Sequence, residues 1–222
     1  MTDVNLSAIA ARLESPRSAD RMIGLAELRD VPPEQAVPLI RMVLEDDNLQ
    51  VRSMAVFALG IKPLAGNVET LIEILQGGED YSIRAAAAGA LGYLQDGQAF
   101  EPLRRSLYED TEWLVRFSAA VALGNLQDPR ARDCLVAALD SAEPILHQAA
   151  IAALGEIGAV DAVDAILRFA DSEDWLVRQR LVEALGNLPG EKSLAALRYL
   201  EKDSHPHVRE AASLSLQKLQ SC

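Results

Sequence analysis

The chain has 222 residues, half of them hydrophobic, with 21 Lys and Arg against 33 Asp and Glu and a formal charge of −12. That length and apolar content support a folded core rather than disorder, and the acidic balance argues against nucleic acid and anionic lipid surfaces as partners. Cys134 and Cys222 form neither a CxxC pair nor a disulfide framework, and the N-terminal MTDVNLSAIAARLES lacks a long apolar core, so a reducing, cytoplasmic setting without signal or membrane insertion is expected.

Self-similarity dominates the reading in chain order. A weak first copy centres on Arg21. Valine-arginine or its equivalent then recurs at Val51-Arg52, Ile83-Arg84, Val115-Arg116, Leu146-His147, Val177-Arg178 and Val208-Arg209, spaced by 32, 32, 31, 31 and 31 residues. Three residues after the arginine position comes a small apolar residue (Ala55, Ala87, Ala119, Ala150, Ala212), with Leu181 the exception. Seven after it comes Leu59, Leu91, Leu123, Leu154, Leu185 or Leu216. Offsets of three and seven share one helical face, so each unit holds one buried inner helix. Gly60, Gly92, Gly124, Gly155 and Gly186 follow those leucines, where a helix either turns through a left-handed cap or packs closely on another. A second apolar segment precedes each arginine position by about a dozen residues, as in VPLIRMVL, ETLIEIL, EPLRRSLYE, DCLVAAL, DAILRFA and LAALRYLE.

No segment alternates with period two, and alanine and leucine outweigh β-branched residues. The expected fold is all-α: an α-solenoid of about seven helix-pair repeats of 31–32 residues, spanning 1–222 as one repeat domain. Residues 1–30 form an N-terminal capping repeat, 31–190 the regular repeats and 191–222 a C-terminal capping repeat. The last of these replaces the usual glycine with Gln217.

Acidic residues recur just ahead of the arginines, in DDNLQVR, EDYSIR, EDTEWLVR, SEDWLVR and KDSHPHVR. An aspartate there can cap the following helix while a neighbouring repeat's arginine bonds to it, building a ladder. The position three before the arginine reads Leu49, Tyr81, Trp113, Pro144, Trp175 and Pro206, so both tryptophans of the chain occupy one slot. Each ring either packs over the neighbouring repeat's turn or belongs to an exposed binding surface. Positions one, five and nine after the arginine form a second stripe. It is apolar and aromatic in the earlier units (Phe57, Ile61, Tyr93, Phe117, Val121) and polar later (Gln148, Glu156, Gln179, Glu183, Asn187). Such a stripe lines either a groove or a helix interface.

Phosphate loops, HExxH, GxSxG and cysteine-histidine metal spacings are absent from the sequence. His147 stands where other units carry arginine, as a proton handler or a structural histidine. His205 and His207 flank Pro206, a weak metal signal, and no metal site is expected. Cys134 reads as a small core hydrophobe and Cys222 as a terminal thiol.

The units EDYSIRAAAAGALGYL, EDTEWLVRFSAAVALGNL and SEDWLVRQRLVEALGNL resemble the HEAT-like repeats of the phycobilisome lyase family of cyanobacteria, over residues 19 to 219. That resemblance implies handling of bilin-bearing phycobiliproteins, phycocyanin or allophycocyanin subunits, by attaching, detaching or accompanying the open-chain tetrapyrrole during assembly or breakdown. It implies no tightly bound cofactor, with phycocyanobilin as the possible ligand. On this reading Tyr81, Trp113, Phe117, Val121 and Trp175 form a platform, Arg84, Arg116 and Arg178 meet the propionates, and Asp110, Glu112, His147 and Asp174 are candidate proton handlers. The alternative is a non-catalytic adaptor that holds a partner helix.

Overall fold

A computed structural model describes residues 5–220, and among them the chain is helical with no strand. It divides into two compact units, Met1–Pro102 and Leu103–Cys222. The first contains α1 (Leu6–Leu13), α2 (Ser18–Glu27), α3 (Pro33–Arg41), α4 (Leu49–Gly60), α5 (Asn67–Gly77) and α6 (Tyr81–Leu94). The division falls within α7 (Phe100–Glu109). The second continues with α8 (Trp113–Asn125), α9 (Ala131–Ala138), α10 (Pro144–Glu156), α11 (Val163–Leu167), α12 (Trp175–Leu185), α13 (Glu191–Leu200) and α14 (Pro206–Gln220).

Even-numbered helices are the inner helices foreseen from the arginine positions, and within each unit they pack on one another in order: α2 on α4 and α4 on α6 in the first, α8 on α10, α10 on α12 and α12 on α14 in the second. Odd-numbered helices pack on the inner helix of their own repeat: α1 on α2, α3 on α4, α5 on α6, α9 on α10, α11 on α12 and α13 on α14. The residues three and seven after the arginine make the core. Ala55, Ala87, Ala119, Ala150, Leu181 and Ala212 have no exposed surface, and neither do Leu59, Leu91, Leu123, Leu154 and Leu185. Truncating a leucine so enclosed costs about 2–5 kcal/mol.

The Ala-Leu-Gly glycines serve close packing rather than left-handed caps. A Cβ on Gly60 would lie 2.6 Å from the Ala90 Cα, one on Gly124 2.8 Å from that of Ala153, and one on Gly155 2.7 Å from that of Ala184. Each partner is the residue six after the next repeat's arginine position. The left-handed turns fall elsewhere, at Gly66, which precedes α5, at Gln95, which ends α6, and at Gln127 and Gly158. Among the described residues no helix is long and apolar enough to cross a membrane.

Candidate functional site

The turn between the two helices of each repeat is held by the arginine itself. Its Nη1 donates to the carbonyl oxygen six residues earlier: Arg21 to Ser15 at 2.9 Å, Arg52 to Asp46 at 2.5 Å, Arg84 to Gly78 at 2.9 Å, Arg116 to Asp110 at 2.6 Å, Arg178 to Ser172 at 2.5 Å and Arg209 to Asp203 at 2.8 Å. His147 keeps the same geometry, with Nε2 2.8 Å from the Ser141 carbonyl oxygen, so this nitrogen carries the proton. All seven repeats therefore share one turn lock, including the weak first copy.

Three of the guanidiniums also pair with carboxylates of the next repeat. Arg21 pairs with Asp46 at 2.6 Å and Asp47 at 2.8 Å, Arg116 pairs with Glu143, and Arg178 grips both oxygens of Asp203 at 2.7 and 2.9 Å. Asp46 and Asp203 also accept the backbone N–H two residues on. The Arg178 hydrogen bond holds the Asp203 carboxyl below the usual carboxylate range, against its burial. Burial acts on Asp46 in the raising direction, but the hydrogen bonds from Arg21 and the Asn48 N–H overcome it and the net shift is downward. Among the described residues the steps after Arg52 and His147 lack such a rung. His147 instead meets the Phe169 ring at 5.0 Å, and Gln148 donates to Asp174 at 3.1 Å.

Tyr81 and Arg84 lie in the first unit and the other candidate residues in the second. Tyr81 opens α6 and is 48% exposed. On α8, Trp113, Phe117 and Val121 follow at intervals of four, so they share one face. Trp113 is 51% exposed, Val121 is exposed and Phe117 half-buried, so this stripe is accessible rather than sealed in an interface. The first unit carries its own exposed members, Phe57, Ile61 and Tyr93, with Phe57 and Tyr93 in an edge-to-face ring contact at 5.6 Å.

Trp175 stands in the same slot as Trp113 and behaves differently. Its indole is half-buried and stacks on the His205 imidazole, centroids 4.0 Å apart and planes 17° from parallel, with His207 5.8 Å away. The His-Pro-His stretch thus closes over a ring, and among the described residues no group of three or more His, Cys, Asp or Glu gathers as a metal cluster. His205 and Phe169 are contacts that the repeat pattern did not single out, because each depends on the residue that one particular neighbour supplies.

The acid-base candidates differ in availability. The Asp110 carboxylate accepts the Glu112 N–H at 2.9 Å, and Asp174 caps α12 through the Leu176 N–H at 2.9 Å. Glu112 precedes Trp113, and among the described residues its carboxylate makes no hydrogen bond or ion pair. Cys134 is buried, which pushes its thiol up to about 11, and Cys222 lies outside the described residues.

HEAT repeats match residues 68–146 and 135–217, about two thirds of the chain. Among solved structures, a chain of the complex of CpcE and CpcF of phycocyanin lyase from Nostoc sp. PCC7120 is 27% identical. The match covers 86% of this chain and 77% of that one, with a TM-score of 0.65. An engineered protein matches at 21% identity over 97% of this chain and 68% of its own, with a TM-score of 0.59. A designed armadillo repeat protein matches at 20% over 97% and 99%, with a TM-score of 0.52; these last two likenesses show the fold alone. No match is found among curated proteins. With its helix pairs, turn locks and glycine contacts recurring at the repeat period, the chain is an all-α solenoid that belongs to the HEAT-repeat family.

Proposed function

We propose that this chain is a phycobiliprotein-interacting, bilin-lyase-like repeat protein that handles phycocyanobilin on phycocyanin or allophycocyanin subunits. Its proposed place is chromophore detachment in phycobilisome degradation, the role of the phycobilisome degradation protein NblB. One observation carries the reading: the accessible stripe of Trp113, Phe117 and Val121 on α8, in a chain that resembles a phycocyanin lyase complex subunit over most of its length. A flat, conjugated tetrapyrrole is well held by rings whose faces are open to it.

The chemistry needs no nucleophile from this chain. Attachment adds the S–H of the partner's cysteine across the ethylidene C=C of the bilin, making one C–S and one C–H bond. Detachment is the reverse: a base takes the C–H proton, the C=C re-forms, and the sulfur leaves as thiolate and is reprotonated. No redox equivalent is consumed. What the protein supplies is orientation and a proton donor or acceptor near the ring system. Glu112 suits that role best, since it adjoins Trp113 and its carboxylate is uncommitted. Asp110, Asp174 and His147 hold turns and serve as positioning residues. Arg84, Arg116 and Arg178 are anchored to turn carbonyls, and Arg116 and Arg178 are also paired with Glu143 and Asp203, so they act by fixing the turns beside the rings.

Purified chain is mixed with free phycocyanobilin and, separately, with chromophorylated phycocyanin, and absorbance and covalently bound bilin are followed. The expected result is an altered tetrapyrrole spectrum and loss of thioether-bound bilin, both weakened by Trp113→Ala. Binding of phycocyanin without spectral change or bilin loss would overturn the lyase-like reading and assign the chain as an adaptor, its exposed Phe57, Ile61 and Tyr93 then holding a partner helix.

A further inference from the structure

The first step of the stack breaks the glycine rule. Eight residues after Arg21, where later repeats carry Gly60, Gly124, Gly155 and Gly186, stands Arg29. Its partner by register is Ala58, six residues after Arg52. An arginine cannot take the sub-3 Å approach that the glycines allow, so α2 stops at Glu27 and gives way to a 3-10 turn over Leu28–Asp30. The space left beside Ala58 is a cleft of about 490 Å³ between α2 and α4.

The lining of this cleft is chemically uneven. Leu25 and Leu28 on one side and Phe57 and Ile61 on the other give it an apolar body. Leu25 and Leu28 are buried, whereas Phe57 and Ile61 are 45% and 40% exposed, so the opening is apolar too. Only two lining residues are charged, Arg29 and Lys62, and both are cations in a chain with a large acidic excess. Among the described residues the Arg29 guanidinium forms no ion pair or hydrogen bond. Lys62 is 7% exposed, and its ammonium donates to two neutral oxygens, the carbonyls of Arg29 at 2.5 Å and Val31 at 2.6 Å. Two of its three N–H groups are thereby used, no carboxylate neutralises it among the described residues, and a buried cation without a counter-ion is costly.

We propose that the cleft between α2 and α4 binds a small apolar carboxylate, with its hydrocarbon body against Leu25, Leu28, Phe57 and Ile61 and its anionic end on Arg29 and Lys62. The volume falls within the ~300–1,000 Å³ typical of small-molecule sites. A slim ligand can carry its carboxylate to the buried ammonium, which gains the counter-ion that the fold does not supply. This site lies wholly in the first unit and does not depend on the pigment-handling reading.

The test is calorimetric titration of the full 222-residue chain with dodecanoate, dodecan-1-ol and dodecylammonium, each below its aggregation threshold. One dodecanoate should bind per chain, at least about ten-fold more tightly than the alcohol, with the ammonium weakest. Arg29→Gln, at an exposed position that leaves folding intact, should weaken dodecanoate about ten-fold and leave the alcohol unchanged. Ile61→Asp should abolish binding of both. Equal affinity for acid and alcohol, dodecanoate binding that survives Ile61→Asp, or indifference to Arg29→Gln would each overturn the assignment. So would an absence of binding by a chain that sediments as a dimer and becomes monomeric as Ile61→Asp, a result that would give the cleft to a second copy.

Discussion

Two glycines in inner helices of the same unit should respond to alanine with opposite signs. At Gly60 the added Cβ would stand 2.6 Å from the Ala90 Cα, 2.7 Å from its Cβ and 2.8 Å from its carbonyl oxygen. Non-bonded carbon atoms sit comfortably at about 3.5–4.0 Å, so α4 and α6 would have to part by about 1 Å. Overpacking of that kind costs about 1–3 kcal/mol. Gly60 is the last residue of α4, so helix propensity gives little in return. Gly89 lies in the middle of α6, with nothing within 4 Å of its would-be Cβ, and there alanine should stabilise by up to about 1 kcal/mol. Urea unfolding followed by far-UV circular dichroism separates the two: Gly60→Ala should lower the midpoint and Gly89→Ala raise it, each at unchanged m. Constancy of m matters because stacked repeats can lose two-state behaviour. Were Gly60→Ala to stabilise as Gly89→Ala does, close approach would not be the reason for the glycine, and the account of helix stacking would fail.

The Arg178–Asp203 rung, with side chains 11% and 6% exposed, should lose about 3 kcal/mol in Asp203→Asn, because a guanidinium is left buried without its partner. The exposed Lys192–Asp164 pair should lose under about 0.5 kcal/mol in Asp164→Asn, and equal losses in chemical denaturation would contradict the ladder. Since Asp203 and Asp46 titrate below their unfolded values, the unfolded chain takes up protons first as pH falls. Their contribution is thus fully present above about pH 4 and lost below it, and the acid-side fall in thermal midpoint should be shallower in Asp203→Asn. Trp175→Ala, which unstacks His205, should lower the thermal midpoint, whereas Trp113→Ala should leave it nearly unchanged, since that ring is half exposed. In a Cys222→Ser variant, the Cys134 thiol, pushed up to about 11, should be about one part in a thousand thiolate at pH 8 and react slowly with a disulfide reagent. Reaction at the rate of a free cysteine would show the residue to be open.

The period, the two helices per repeat and the buried face were legible because each is written in every copy: Ala150 and Leu154 restate what Ala55 and Leu59 have said. The turn lock was only half legible. Its donor is a side chain at a fixed place, but its acceptor is a backbone carbonyl, which Ser15, Gly78 and Asp203 supply equally well without any signature of their own. The aromatic slot was legible as a place and illegible as a role, and the reason is specific. The residue that meets a ring in this slot comes from the next repeat, four positions before its arginine position. For Trp175 that residue is His205, whose imidazole lies flat on the indole. For Trp113 it is Glu143, already claimed by Arg116, and the indole stays open. A residue's exposure in a stacked array is therefore a property of two repeats read together. The same logic makes Arg29 the most consequential departure: read within its own repeat it is an ordinary surface cation, but read against Ala58 one repeat on, it prevents two helices from closing and leaves a cationic, apolar cleft where Gly60, Gly124 and Gly155 each give a seam.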